Sequence, residues 1–195
     1  MIYSGYMLKD KYQGYSNINA KVKLEVDRGR LFRLKKGIYV DSLQEDPFRC
    51  ANAMVTPSYV SFETALCYYD MIPERVYAKT SATLLMHKRK EFLTPMGLFI
   101  YRDVPKQVFS LGIETTEYGF QIATREKALC DMLYHLPPVY SIKALKELLF
   151  EDQRMDEEDI CSLSRQDMET LLPLYKANNT RLMLKLLEEL PWKEN

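Results

Sequence analysis

The sequence predicts an α+β protein with a small mixed head, a middle of short strands, hairpins and helices, and a helical last third. Three observations carry this. Stretches with apolar residues at helical spacing begin after Ser, Thr, Asp or Asn, the side chains that cap helix N-termini. Short apolar runs are broken by glycine turns, as at Lys35-Lys36-Gly37 and Pro95-Met96-Gly97. Beyond Pro138 the strand signals stop and only helical patterns remain.

The elements follow in order. Residues 1–15 offer one weak helix, around Met7–Tyr12. Ser16 or Asn17 is placed to cap a helix running to about Arg28, with Gly29 as its stop. The same stretch, Ala20–Asp27, alternates apolar and polar residues with period two, which is a strand signal. Leu31–Leu34 and Ile38–Val40 flank a basic turn and read as a two-stranded hairpin. Asp46-Pro47 opens a helix to about Val55, and Ser61 another through Tyr69 with Phe62, Ala65, Leu66 and Tyr69 on one face. Val76–Ser81, Phe92–Leu93, Leu98–Tyr101 and Phe120–Ala123 read as extended. Thr124 caps a helix from Arg125 to about His135, stopped by Pro137-Pro138. In the tail, Ser141 caps Ile142–Phe150, Ser164 starts a segment divided at Pro173, and Asn179 caps a last helix with a Leu182, Leu186, Leu187, Leu190 stripe. The expected organisation is a head over 1–43, a core over 44–136 and a helical extension over 137–195.

At 47% hydrophobic and 28% charged residues the chain can bury a core and is not of disordered composition. No apolar run approaches the ~20 residues of a membrane span, and no apolar stretch near Met1 suggests a secretion signal. A cytoplasmic protein with no membrane partner is expected. Cys50, Cys67, Cys130 and Cys161 are widely spaced, so they are expected as free thiols, Cys67 and Cys130 as small buried hydrophobes. With only His87 and His135 beside them, no metal or cofactor is expected.

Net charge is zero but unevenly placed. Residues 1–40 hold nine Lys/Arg against three Asp/Glu, and residues 151–195 hold six against eleven. The basic head suits an anionic partner. If 17–28 is a helix and 31–40 a hairpin, these are the two elements that a winged helix-turn-helix presents to DNA. Lys21, Lys23, Arg28, Arg30, Arg33, Lys35 and Lys36 would then meet phosphates, and Asn17 and Asn19 would reach base edges. A basic solvent face on a small hairpin explains the charges equally well. Lys88, Arg89 and Lys90 form a second basic cluster, read either as an RNA- or protein-facing surface or as a solvated loop. The tyrosines at 68, 69, 77, 101, 118, 134 and 140 suit base stacking or half-buried packing.

Catalytic patterns are absent from the sequence. There is no Walker loop, GxGxxG, HExxH or Glu-x-Lys. Glu126 and Asp131 are five residues apart on one helix, about 140° around its axis, and do not pair as acid and base. The chain therefore reads as a binding protein and not an enzyme, with a nucleic-acid-processing enzyme as the outlying alternative.

Five blocks, in this order, carry a resemblance: Gly29-Arg30-Leu31, Lys36-Gly37-Ile38-Tyr39-Val40, the stretch Pro57–Leu66, Ile72-Pro73-Glu74-Arg75-Val76, and Ala123–Asp131. Together they resemble the AbiEi antitoxin family of AbiE-type, type IV toxin–antitoxin systems, which are transcriptional regulators linked to phage defence. The resemblance spans about residues 16–136. It implies a winged-helix head that binds inverted repeats of operator DNA, an antitoxin domain that counteracts a nucleotidyltransferase toxin without a stable complex, and a helix at 17–28. It also implies mainly structural roles for Ser61, Glu63, Glu126, Lys127 and Asp131. A complete winged domain has about three helices before the wing, whereas about 30 residues precede it here. The head is thus expected to be shortened, with dimerisation as its alternative use. A stand-alone DNA-binding regulator without a toxin is the second functional expectation.

Overall fold

The segment with conflicting periodicity is a helix, and its two ends show why. We analysed a computed structural model that describes residues 1–73, 77–84, 86 and 89–191. Helix α2 (Ile18–Asp27) starts where the Asn17 side chain accepts a hydrogen bond from the Ala20 amide at 3.0 Å. It stops in a Schellman turn: the Arg30 amide donates to the Glu25 carbonyl, and the Gly29 amide to that of Val26, with Gly29 at φ +67°. Both ends are closed by local chemistry that a strand would forfeit. The cost of the period-two pattern is Leu24, left 39% exposed on the outer face. Helix α1 (Gly5–Lys11), capped by Ser4, precedes it.

Strands β1 (Ile2–Ser4), β2 (Phe32–Lys35) and β3 (Ile38–Val40) form an antiparallel sheet in the order β1-β3-β2. Pairing of the first strand with the last closes the head around Leu8, Val22 and Leu31. The other side of this sheet carries Phe32, Leu34 and Val40. These pack on helix α3 (Pro47–Met54) and on Phe92, Phe99 and Tyr101 of the main sheet. The Asp46 carboxylate caps α3, and Pro47 occupies its first turn, as the sequence predicts.

The main sheet has the order β6-β7-β5-β4-β9-β8. Its strands are β4 (Ser58–Val60), β5 (Ala78–Thr83), β6 (Lys90–Thr94), β7 (Gly97–Asp103), β8 (Ile113–Thr115) and β9 (Gln121–Ala123). β6 and β7 make the expected hairpin, with Thr94 opposite Gly97. Parallel pairings of β5 with β7 and of β4 with β9 make the sheet mixed, so the protein is α+β. Strands β4 and β8 were not expected; three residues each are too few for an alternating pattern. Of the extended stretch read at Val76–Ser81, Val76 lies outside the described residues and the strand runs to Thr83.

Helices α4 (Phe62–Tyr68) and α5 (Arg125–His135) pack together against the sheet. The tail then builds α6 (Ile142–Lys146), a π-helical turn (Glu147–Asp152), α7 (Glu157–Cys161), α8 (Arg165–Leu171), a 3₁₀ turn (Leu172–Tyr175) and α9 (Asn178–Leu186). Its leucines share one buried core with the middle of the chain. The helix expected over Ile142–Phe150 changes to π geometry after Lys146, and α7 was unforeseen. Pro173 divides the next segment as expected, at the step from α8 into the 3₁₀ turn.

Asn179 is a correction. It does not cap α9, because Ala177 holds that position. Asn179 is fully buried instead: its Oδ1 accepts from the Val139 amide at 2.8 Å, and its Nδ2 donates to the carbonyls of Leu133, Leu136 and Pro137. It thereby pins the proline-rich link between α5 and the tail. Among the described residues no helix is long and apolar enough to cross a membrane.

Candidate functional site

Two places concentrate polar chemistry. The first is buried. Lys127 and Asp131 lie four residues apart on α5, and both side chains are wholly inaccessible. Lys127 Nζ donates to Asp131 Oδ1 at 2.8 Å and to the Tyr175 hydroxyl at 2.6 Å, while that hydroxyl donates to the same Oδ1 at 2.6 Å. Oδ2 accepts from the Tyr59 hydroxyl at 3.0 Å and from Ser61 Oγ at 2.7 Å. A carboxylate offers about four lone-pair directions, and here all are used. The ammonium also faces the rings of Tyr59 and Tyr175, at 5.5 and 5.0 Å from their centroids. Burial, with the Asp131 charge, pushes the Tyr59 and Tyr175 hydroxyls far above the usual tyrosine range, so both stay protonated donors.

The neighbouring acids are used the same way. Glu126 accepts from the Ser164 amide and so holds the start of α8. Glu63 pairs with Arg102 at 2.9 Å, and the Arg102 guanidinium covers the Phe62 ring. Ser61 sits at the start of α4, but its hydroxyl goes to Asp131 and makes no cap. Glu126 and Asp131 make no carboxylate pair.

The second place is a groove of about 780 Å³ on the head, between α1, α2 and the β2–β3 hairpin. Its floor is apolar: Leu8, Ile18, Val22, Val26 and Tyr39. Asn19, Lys23, Arg33 and Lys36 rise along its rim, together with Lys9 from α1. The lining contains no acidic residue. Among the described residues, no carboxylate forms an ion pair with Lys9, Lys23, Arg33 or Lys36.

The structure thus sorts the basic residues read from the sequence. Asn19, Lys23, Arg33 and Lys36 meet at one groove. Lys21 and Arg30 turn instead to Glu25, at 2.8 and 2.6 Å, and their contacts hold its carboxyl below the usual range. Lys21 also lies over the Tyr12 and Tyr15 rings. The Asn17 carbonyl oxygen is occupied by its helix cap. Arg28 is exposed just past the end of α2. Lys35 leans over the Phe92 ring of the main sheet, where burial, with nearby Lys90, lowers its pKa. Lys90 is exposed at the start of β6, Arg89 pairs with Glu91 at 2.8 Å, and Lys88 lies outside the described residues. Sequence reading missed Lys9 and the apolar floor. The Val22–Val26 pair, four apart on the proposed helix, was the available signal. Of the tyrosines, Tyr101 is buried and donates to the Ala51 carbonyl, whereas Tyr77 and Tyr140 are almost fully exposed.

No protein-family model matches the chain, and no curated protein matches its sequence.

Replacing Lys127 by Met leaves the Asp131 carboxylate buried without its cation. Urea unfolding is expected to show a loss of about 3–5 kcal/mol. A K127M/D131L double variant should recover part of this, because the uncompensated charge is gone while three hydroxyls remain unpaired. A loss below about 1 kcal/mol for K127M would mean that the pair is solvated.

A second expectation concerns alkaline pH. The Tyr59 and Tyr175 pKa values are raised on folding, so their contribution is fully present below the unfolded value of about 10. It is lost as pH rises above that point, because the unfolded chain ionises first. The unfolding free energy should fall with a slope of about 1.4 kcal/mol per pH unit for each buried tyrosine. Removing one such group by Tyr175→Phe should make the slope shallower by that amount; an unchanged slope would show that Tyr175 ionises freely.

Proposed function

We propose that this protein is the antitoxin of an AbiE-type, type IV toxin–antitoxin system. In this reading it is a cytoplasmic regulator that represses its own operon and counteracts a nucleotidyltransferase toxin encoded beside it. One observation carries the reading. Two blocks of the AbiEi resemblance, Pro57–Leu66 and Ala123–Asp131, meet around a single buried carboxylate through Tyr59, Ser61, Lys127 and Asp131. Residues far apart in the chain are thus tied by one physical requirement, as expected of a shared domain and not of a chance string of matches.

The head supports the DNA-binding half of the proposal. Its order is strand, helix, helix, strand, strand, with the first strand beside the last. That order supports reading the head as a winged helix-turn-helix from its first strand onward. On that reading α2 is the recognition helix and β2–β3 the wing. Asn19 reaches bases and Lys23, Arg33 and Lys36 meet phosphates, whereas Lys21 and Arg30 are taken by Glu25. Paired heads in a homodimer would match an inverted repeat. Arg89 and Lys90, with Lys35 beside them, form the surface proposed for the antitoxin role. The protein acts by binding, without a cofactor.

The test is growth under induced expression of the adjacent gene, alone and with this protein. Toxicity relieved by co-expression is expected. The triple variant K23A/R33A/K36A should keep that relief while its operator affinity falls and its salt dependence flattens, by about 0.9 in log–log slope per lost phosphate contact. A harmless neighbour, or toxicity that this protein leaves untouched, contradicts the proposal.

A further inference from the structure

The head groove has a feature that DNA contact does not use. Phosphates and base edges are polar partners, and the rim cations alone would serve them. The floor is an apolar surface in which Ile18, Val26 and Tyr39 are only half covered, although Leu8 and Val22, in the same cluster, are buried. A patch of this kind on a head with so small a core marks a place for a partner. The walls give its shape. Two helices and a hairpin surround the groove, whereas helix-turn-helix domains of the homeodomain type complete their core with three helices. The charge gives the chemistry: cations stand on the rim, no acidic residue lines the groove, and no carboxylate of the described residues neutralises those of Lys23, Arg33 and Lys36.

We propose that the groove seats an amphipathic helix of a partner protein, with its apolar face on Val22, Val26 and Tyr39 and acidic residues on its flanks facing Lys23, Arg33 and Lys36. The apolar floor supplies affinity. The rim fixes orientation and excludes basic helices. Because the helix covers Asn19, Lys23, Arg33 and Lys36, it competes with any nucleic acid held by those side chains. The inference does not rest on the antitoxin reading.

A display library of helical peptides about four turns long tests it. Leu is fixed at i, i+3, i+4 and i+7, and the flanking positions are randomised among Glu, Gln and Lys. Selection on the full-length protein should enrich Glu over Lys at the flanks by at least about tenfold. Selection on a K23E/K36E variant, which changes only exposed side chains of the head, should reverse the preference towards Lys. That reversal cannot come from a folding defect, which would abolish selection altogether. No enrichment on the wild-type protein, or the same flank preference in both backgrounds, overturns the proposal. So does duplex DNA that shields Lys23 and Lys36 from acetylation when no helix is selected; that result would leave the groove to nucleic acid and the functional reading intact.

Discussion

Asp131 is the group on which the rest of the structure depends. A carboxylate with no exposure is held in place only if every lone pair is answered, since removal of an ion from water costs several kcal/mol even after relaxation. The four donors come from β4 (Tyr59), the turn into α4 (Ser61), α5 itself (Lys127) and the tail's 3₁₀ turn (Tyr175). Burial of the charge and assembly of the surrounding elements are therefore one event. The loop before β8 obeys the same demand. Gly112 adopts φ +62°, and a Cβ there would lie 2.9 Å from Lys127 Cβ, so the chain passes against the lysine stem only because that residue is glycine.

Further constraints spread outward from that point. The Ser61 hydroxyl donates to Asp131 and its carbonyl accepts from the Thr80 hydroxyl at 2.7 Å, while its amide donates to the Thr80 carbonyl. Held on both sides, the chain enters α4 through Phe62 at φ +57°, a left-handed conformation that a non-glycine residue keeps only when its surroundings fix it. Thr64 and Thr80 exchange backbone and hydroxyl bonds and lock α4 onto β5. On the tail side, Arg125 bonds Ser162 and Glu126 bonds the Ser164 amide, so α8 hangs from the first turn of α5. The head is attached elsewhere, through Leu34 and Val40 against Phe99 and Tyr101. Its groove and cations lie outside the network that holds the core.

What was legible in the sequence was local. Asn17, Asp46, Thr124 and Ser141 cap helices because the bonded amide is two or three residues away. The hairpins at Gly37 and Gly97 were readable because both glycines take positive φ at the turn. What was not legible was long-range. Lys127 and Asp131 could be paired by their spacing, but Tyr59, Ser61 and Tyr175 lie 72, 70 and 44 residues from Asp131. Asn179 was misread because its type suits a cap equally well, and only the approach of the Leu133–Val139 backbone makes it a bracket. Among the basic residues, composition could not tell Lys23, at the groove rim, from Lys21, two residues back around the helix and taken by Glu25.

The central claim is that the Asp131 network joins the middle of the chain and its helical tail into one cooperative unit. Native-state hydrogen exchange of the backbone amides tests it directly. The amides of β4, α5, the Leu172–Tyr175 turn and α9 should exchange with a common opening free energy equal to that of global unfolding. A tail that opens at distinctly lower free energy while α5 stays protected would contradict the account, because Tyr175 could then leave Asp131 without unfolding the core.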